Sequence, residues 1–194
     1  MARLIYFTPT SLDGYIADET GSPDWAAPDE EVFTFINHLV RPIGMYLYGR
    51  EIYETMTIWE TPDVIPGRTP GMLDFGGIWQ AADKIVYSKS LETVSTPKTR
   101  IEREFDRQAV RDLKGQLPHD VSVAGPTLAA HAIRAGLVDE HHLLVCLLCL
   151  AEARGSCPAT YALGWSSWTS AALPMEWSIF ATKRNPNVGC RRRF

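Results

Sequence analysis

The sequence predicts an α/β fold in which helices flank a central, mostly parallel sheet. Three observations lead to this prediction. Short apolar segments rich in strand-favouring residues recur along the first three quarters of the chain. Helical segments with caps or apolar stripes lie between them, and such alternation is typical of parallel sheets. The 194 residues, 45% of them hydrophobic, suffice for one domain with a sizeable core.

The first third of the chain contains two strand–helix pairs. Residues 4–7 are continuously apolar, as expected of a strand covered on both faces. A loop with several glycines follows. A helix is predicted over 28–40, because proline and acidic residues suit a first turn and apolar residues recur at helical spacing. A second strand over 45–48 ends at Gly49, and a short helix is predicted over 51–56.

The middle of the chain continues the alternation after an irregular segment. Residues 57–76 are rich in proline and glycine, which predicts a loop with little regular structure. The elements predicted after it are a strand over 85–87, a helix over 106–114 ended by Gly115, a strand over 121–124, a helix opened by Gly125-Pro126 and capped by Gly136, and a strand that begins at 143.

Composition and charge limit the class of protein. The longest purely apolar run, 143–151, is less than half of the ~20 residues that a membrane-spanning helix needs. The apolar stretch at the start is too short for a secretion signal before Thr8-Pro9 interrupts it. The net charge is −4, and the first 145 residues contain no basic stripe. We therefore expect a cytoplasmic protein that binds neither membranes nor nucleic acid.

Two turns share one design that favours a bound phosphate. In each, an apolar strand ends in glycine and a helix begins, at Gly49-Arg50-Glu51 and at Gly125-Pro126-Thr127. A helix start presents backbone N–H groups, and glycine lets a ligand approach the backbone closely. Such turns are often purely structural, but two in one small sheet, one followed by arginine, are a stronger indication of a phosphate site. No P-loop, dinucleotide-binding glycine fingerprint or nucleophile elbow is present.

Four segments occur in an order and at spacings that resemble a known family. They are residues 11–17 (SLDGYIA), 49–54 (GREIYE), 84–89 (KIVYSK) and 125–140, which ends in GLVDE. Together they resemble the dihydrofolate-reductase-like superfamily, in particular the branch similar to the C-terminal reductase domain of bacterial riboflavin biosynthesis (RibD). The resemblance covers residues 2 to about 146.

The resemblance implies an NADPH-dependent reductase, which is often a homodimer in this family. The cofactor-binding residues it implies are Ile16 and Ala17 in a mobile loop over the nicotinamide, Gly49, Arg50 and Glu51 at one phosphate, Ser88 and Lys89 beside the adenosine, and Gly125, Pro126, Thr127 and Leu128 around the pyrophosphate. Arg50 would reach the adenosine 2′-phosphate, because a guanidinium binds phosphate through two parallel hydrogen bonds.

The same resemblance suggests where a small heterocyclic substrate binds. Glu30 falls at the position of the family's substrate-binding carboxylate, with Asp29 beside it. Either could anchor a pterin- or pyrimidine-like edge or help protonation. The alternative is that both belong to a solvated first helical turn. Asp13, Trp25 and Tyr53 are further candidates for substrate contact, with a turn role for Asp13 and core packing for Tyr53 as the alternatives.

Metal binding is not expected. His141 and His142 fall in a predicted strand, so their side chains point to opposite faces and cannot share an ion. Cys146 and Cys149 have the spacing of half a zinc site, but Cys157 and Cys190 do not form a second pair.

The composition changes sharply near residue 146. All four cysteines lie after position 145, and the net charge is −8 before that point and +4 after it. We therefore divide the chain into a reductase-like domain, 1–146, and an atypical tail, 147–194. The antiparallel strands that the family has at its C-terminal end are expected to be altered or missing, which would leave an unpaired sheet edge.

A shift of reading frame accounts for the tail. Residues 147–194, back-translated with permitted codons and read one base out of register, yield a proline, a glycine-rich turn and two strand-like runs, LELVDER and MVYLRY. This is the continuation that the family pattern requires. We interpret the tail as a frameshifted translation.

The function predicted from the sequence is hydride transfer from NADPH to a small heterocycle. A narrower alternative is a 5-amino-6-(ribosylamino)uracil-type pyrimidine reductase, although the chain has no deaminase half. A different alternative is a vestigial or non-catalytic nucleotide-binding protein. The tail favours it, and so does Pro126, which removes one N–H from the phosphate cradle.

Sequencing of the gene around the Cys146 codon tests the frameshift. The expected result is a one-base insertion or deletion relative to a reading frame that contains the two strand-like runs. An intact gene in the present register would refute the interpretation.

Overall fold

The computed structural model describes residues 1–146 in full and, beyond them, only the backbone of five strands. The helices are α1 (Glu30–Val40), α2 (Arg50–Met56), α3 (Pro70–Ala81), α4 (Arg107–Gln116) and α5 (Pro126–Arg134). The strands are β1 (Leu4–Ser11), β2 (Tyr15–Ala17), β3 (Ile43–Gly49), β4 (Asp83–Tyr87), β5 (Thr99–Glu102), β6 (Asp120–Ala124), β7 (Glu140–Cys146), β8 (Arg154–Gly155), β9 (Tyr161–Ala162), β10 (Trp165–Ala172), β11 (Trp177–Arg184) and β12 (Arg191–Arg192).

The main sheet confirms the predicted fold class. Its eight strands lie in the order β10-β11-β7-β1-β6-β3-β4-β5, and the six from β7 to β5 are parallel. One core cluster packs α1 and α3 against one face, and a second packs α4 and α5 against the other. Side chains alternate between these faces along β3, where Tyr46 belongs to the first cluster and Leu47 to the second.

Of the two outcomes expected for the terminal strands, altered or missing, the structure excludes the second. The strand β11 pairs antiparallel with β7, from Trp177 opposite Cys146 to Lys183 opposite Glu140, and β10 pairs with β11. Backbone N–H and C=O groups form the hydrogen bonds between these strands. The tryptophan, isoleucine and phenylalanine residues of this stretch also favour strands. The edge of β7 is therefore paired.

The two strands start where the shifted reading frame also has strand-like runs. LELVDER begins at the codon of Trp165 and MVYLRY at the codon of Trp177, which are the first residues of β10 and β11. Both readings thus place strands in the same part of the chain. The remaining tail residues lie outside the described part.

The prediction of a loop over 57–76 is wrong in its second half, because α3 begins at Pro70. Thr69 caps this helix by accepting a hydrogen bond from Met72 N at 3.4 Å, with proline in the first turn. Its glycines permit close packing, since a Cβ at Gly76 would lie 2.6 Å from Pro62 Cγ. Gly71 and Gly76, two of the glycines that predicted a loop, are therefore helix-packing residues.

Several other elements were missed or given wrong limits. The short strands β2 and β5 were not predicted. The helix α4 passes Gly115 and ends at Gln116, and β7 begins three residues before 143. Among the described residues, no helix is long and apolar enough to cross a membrane.

Charged groups join the amino ends of the three central strands. Arg3 forms ion pairs with Asp120 and with Glu140, the latter at 3.0 Å. Burial opposes ionisation of Asp120, but hydrogen bonds from the Arg3 side chain and backbone N–H outweigh it and lower the pKa of this carboxyl. Because these residues begin β1, β6 and β7, the contacts hold the strands in register at the edge away from the glycine turns.

His141 makes stability depend on pH. It is 5% exposed and its ring lies edge-on to Tyr6, and burial, together with the nearby His142, lowers its pKa to about 4. An unfolded chain takes up this proton near pH 6.5, whereas the folded chain takes it up only near pH 4. Stability contributed by the neutral ring is therefore complete above pH 6.5 and is lost as the pH falls towards 4.

We expect His141→Phe to remove up to about 3 kcal/mol of the acid-induced loss of stability between pH 7 and pH 4. Urea unfolding at several pH values measures this loss. His131→Phe is the matched control, because His131 also lies against an aromatic ring, Phe105, but is exposed. An equal loss in wild type and His141→Phe would contradict the assignment.

Candidate functional site

The sheet opens between β1 and β6 at their carboxyl ends. The two strands pair from Leu4 to Tyr6, but β1 continues to Ser11 alongside β7. The chain then leaves β1 towards α1 on one face and leaves β6 into α5 on the other. Adjacent parallel strands whose connections diverge to opposite faces form the crevice in which open α/β sheets bind ligands.

The two predicted glycine turns lie side by side at this edge. Tyr48 pairs with Ala124, which makes Gly49 and Gly125 the next residues of adjacent strands. Gly125 has φ +90°, a backbone conformation that favours glycine, and a Cβ there would lie 3.3 Å from Ile52 Cγ2. The turn after β6 therefore packs against the first turns of α2.

Gly49 has no internal reason to be glycine. Its φ is −77°, which any residue adopts, and a Cβ built on it meets nothing within 4 Å. Neither backbone conformation nor packing among the described residues explains the missing side chain. The open space beside Gly49 leaves room for a group from outside the chain, and the phosphate predicted at this turn stays a prediction.

The start of α5 supplies donors beside that space. Its first intrahelical hydrogen bond runs from Ala129 N to Gly125 O at 2.9 Å. The N–H groups of Thr127 and Leu128 precede this bond, and Pro126 at the first helical position has none. Thr127 is exposed, whereas the side chain of Leu128 is in the core, so that only its backbone could face a ligand.

Arg50 and the turn after β4 come together beyond Gly49. The Arg50 guanidinium donates to Ser90 Oγ at 3.2 Å and to Glu54 Oε1 at 2.7 Å. The Ser88 hydroxyl is buried and accepts hydrogen bonds from the backbone of Ser90 and Leu91. Ser88 therefore shapes the turn, and Ser90, which the sequence interpretation missed, faces Arg50.

Two further cations flank this turn. Lys89 is 83% exposed and lies 3.9 Å from Glu104 Oε1. Arg103 donates to Ser88 O at 3.0 Å and to Leu91 O at 2.6 Å, which fixes the turn from the end of β5. Sequence reasoning missed Arg103, because both acceptors are carbonyls more than ten positions away and no local pattern marks them.

The two candidate catalytic carboxylates have structural contacts. Asp29 is the N-cap of α1 and accepts from Val32 N at 2.9 Å. Glu30 accepts from Gly71 N with both oxygens, at 2.9 and 3.1 Å, and so ties the start of α1 to the start of α3. Their catalytic role stays a prediction, since each has a structural role that accounts for its presence.

The loop after β1 is a hydrogen-bonded turn. Ser11 Oγ donates to Asp13 Oδ1 at 2.6 Å and accepts from Tyr15 N at 2.8 Å, which makes Asp13 a turn residue. Ile16 and Ala17 follow in β2, half-buried, and the backbone of this strand pairs with β8. The predicted cofactor loop is thus a short strand held to the segment that follows β7.

The remaining substrate candidates differ in their contacts. Tyr53 is 2% exposed, and its hydroxyl accepts from Ser95 N at 2.9 Å and lies 3.1 Å from Thr96 Oγ1. It fastens the β4–β5 connection to α2. Trp25 is half-buried, packs against the α1–α3 core, and has a buried Nε1 for which no partner is found among the described residues.

The described residues contain no group of three side chains suited to a metal ion. Glu140 contacts His142 at 3.2 Å, while His141 packs on Tyr6 on the opposite face, as the strand pattern predicted. Cys146 is buried, and Cys149, Cys157 and Cys190 lie outside the described residues.

Comparison with known proteins agrees with this architecture. The family described as the RibD C-terminal domain matches residues 2–159. A structure described as a riboflavin biosynthesis protein from Shewanella sp. PV-4 superposes with a TM-score of 0.71 and 18% identity, covering 95% of this chain and 99% of that one. Among curated proteins, none matches this sequence.

A second solved structure is a larger protein. It is the diaminohydroxyphosphoribosylaminopyrimidine deaminase/5-amino-6-(5-phosphoribosylamino)uracil reductase from Thermotoga maritima, with a TM-score of 0.64 and 13% identity. The match covers 95% of this chain but 57% of the Thermotoga protein. At these identities both structures establish the fold.

We expect Glu30→Ala to lower the free energy of unfolding by about 1–2 kcal/mol, because Gly71 N loses its charged acceptor. Chemical denaturation measures the loss. Glu31→Ala is the control, since Glu31 is the next residue of the same first turn and is exposed. Equal stability of the two variants would show that the contact to Gly71 is not structurally important.

Proposed function

The chain belongs to the RibD C-terminal domain family, and we propose that it is an NADPH-dependent reductase acting on a small pterin- or pyrimidine-like heterocycle. The observation that carries the proposal is the glycine pair at the crevice, and above all Gly49, whose missing side chain nothing among the described residues explains. The proposal includes that the protein forms a homodimer and is located in the cytoplasm.

The cofactor's phosphates would lie along the edge from β4 to β6. Arg50, with Ser90 opposite, would bind the 2′-phosphate, and Lys89 would add positive charge nearby. The space at Gly49 and the N–H groups of Thr127 and Leu128 would hold the pyrophosphate. Glu51 is exposed in the first turn of α2 and would contribute mainly its backbone.

The reacting end would then lie where β1 and β6 separate. When bound there, NADPH supplies a hydride for the substrate. Ile16 and Ala17 would cover this end and exclude water, and Trp25 and Asp13 lie on the connection that leaves β1 towards the substrate side. Asp29 or Glu30 would act on a substrate nitrogen through carboxylate lone pairs beyond those that accept from Val32 N and Gly71 N.

Two alternative functions are each favoured by a particular observation. The family membership favours a narrower role as a pyrimidine reductase of riboflavin biosynthesis. Pro126, which removes a donor from the cradle, and the structural contacts of Asp29 and Glu30 favour a non-catalytic nucleotide-binding protein. A vestigial protein would bind neither NADPH nor NADH, so that cofactor titration separates it from a reductase.

Titration with NADPH and NADH tests the cofactor site. We expect Arg50→Ala to weaken NADPH binding at least tenfold with little change for NADH, because only NADPH carries the 2′-phosphate. Gly49→Ala should weaken both cofactors while changing unfolding free energy by less than about 1 kcal/mol.

Arg111→Ala is the control for charge, because Arg111 is exposed on α4. Fluorescence of the bound dinucleotide gives the affinities without any substrate. Wild type that binds neither cofactor, or an Arg50→Ala variant with unchanged preference, would refute the proposed site.

A further inference from the structure

The turn after β4, residues 88–91, is joined to the end of β5. Tyr87, the last residue of β4, pairs with Glu102, the last residue of β5. Ser88 N then donates a hydrogen bond to Glu102 O at 3.0 Å. Both strands therefore end at the same level, and Arg103 follows β5 directly beside the turn.

Arg103 closes this turn from outside. A single nitrogen of its guanidinium, Nη1, donates to Ser88 O at 3.0 Å and to Leu91 O at 2.6 Å. Inside the turn, the Ser88 hydroxyl accepts from Ser90 N at 3.3 Å and from Leu91 N at 3.0 Å. Ser90 lies between the two carbonyls that Arg103 holds. The backbone position of Ser90 therefore depends on Arg103 as well as on Ser88.

Ser90 connects the turn to Arg50. The Ser90 hydroxyl accepts from Arg50 Nη1 at 3.2 Å, and Glu54 Oε1 accepts from Arg50 Nε at 2.7 Å. Glu54 is a charged acceptor and competes with a phosphate for the guanidinium. Ser90 is a neutral acceptor, so that it orients the guanidinium without cancelling its charge. Because Ser90 and Arg50 are 40 positions apart, they meet only while the turn keeps its shape.

The three cations beside the turn differ in their partners. Arg50 pairs with Glu54, and the exposed Lys89 lies 3.9 Å from Glu104 Oε1. In the part of the chain that the structure describes, the hydrogen bonds of Arg103 go to the two turn carbonyls and it has no carboxylate partner. The turn, and not an ion pair among these residues, is therefore what engages Arg103.

We propose that Arg103 is a positioning residue that sets the preference for NADPH over NADH, by holding the 88–91 turn so that Ser90 orients Arg50. The inference rests on the proposed reductase function. A binding group that is already oriented binds its ligand without a further cost of ordering. Loss of Arg103 therefore affects the 2′-phosphate, which only NADPH carries, and Arg103 acts there through Ser90 and Arg50 rather than by touching the cofactor.

Fluorescence titration of NADPH and NADH into the full chain tests the proposal. The preference is the dissociation constant of NADH divided by that of NADPH. We expect Arg103→Ala to lower this ratio about fivefold, which is in the range of one or two hydrogen bonds, and to leave the NADH affinity within about twofold. Arg100→Ala is the matched control and should keep the wild-type ratio, because Arg100 is an exposed arginine of β5 that pairs with Glu102.

A double-mutant cycle with Arg50→Ala separates positioning from direct contact. In the Arg50→Ala background, Arg103→Ala should change the ratio by less than about twofold, since the group that Arg103 positions is gone. Equal reductions in both backgrounds would mean that Arg103 contacts the phosphate itself, which overturns the inference.

Ser90→Ala tests the same route without touching Arg103. Ser90 is exposed, and its replacement removes the hydroxyl that faces Arg50 while it leaves the turn carbonyls in place. This variant should lower the ratio by a factor similar to that of Arg103→Ala. An unchanged ratio overturns the inference, because the proposed route from Arg103 to Arg50 passes through this hydroxyl.

The remaining outcomes separate the inference from the proposed function. An unchanged ratio in Arg103→Ala overturns the inference. Equal weakening of NADPH and NADH binding overturns it as well, because it would show only that the turn supports the fold. Wild type that binds neither cofactor refutes the proposed function, and the inference with it. Wild type that prefers NADPH, together with an insensitive Arg103→Ala variant, refutes the inference and leaves the proposed function standing.

Discussion

The parallel register of β6 between β1 and β3 determines where the candidate residues lie. Its pairing with β3 brings Gly49 and Gly125 to adjacent positions. Its pairing with β1 stops at Tyr6, which opens the edge where β1 runs on to Ser11. A shift of one residue in either ladder would separate the glycines or turn side chains to the wrong face. The open space at Gly49 and the crevice thus both depend on the position of β6.

That register is fixed at the opposite edge of the sheet. Arg3 links β1 to the starts of β6 and β7, and Lys114 of α4 pairs with Asp139 at 2.5 Å, whose carboxylate also accepts from Leu4 N at 2.7 Å. These groups are charged and partly or largely buried, so that removal of one partner leaves another without compensation. The carboxyl edge, in contrast, consists of turns, among them those at Gly49 and Gly125. The groups that hold the register and the proposed cofactor site therefore lie at opposite ends of the strands.

The sequence predicted much of the fold and, within the candidate site, the two glycine turns. Buried strands and amphipathic helices are local sequence patterns. The helices α1, α2 and α5 and the strands β1, β3, β4 and β6 can be predicted from them. The helix α3 could not be predicted in this way, because glycines such as Gly71 and Gly76 indicate a helix break when only their sequence neighbours are considered. Their close approach to Glu30 and Pro62 in the folded chain explains them. The terminal strands could not be predicted either. The strand β11 pairs with β7 through backbone hydrogen bonds, which the composition of the segment does not indicate.

The sequence alone determined the alternation that makes a parallel sheet, the two glycine turns, and the arginine beside one of them. Each of these depends on residues within a few positions of one another. Only the tertiary structure decided which polar groups are engaged elsewhere: Glu30 with Gly71, 41 positions away, and Tyr53 with Ser95, 42 positions away. It also showed that Gly49 borders open space while Gly125 touches Ile52. Such facts depend on distances between distant segments, and these distances exist only once the chain has folded.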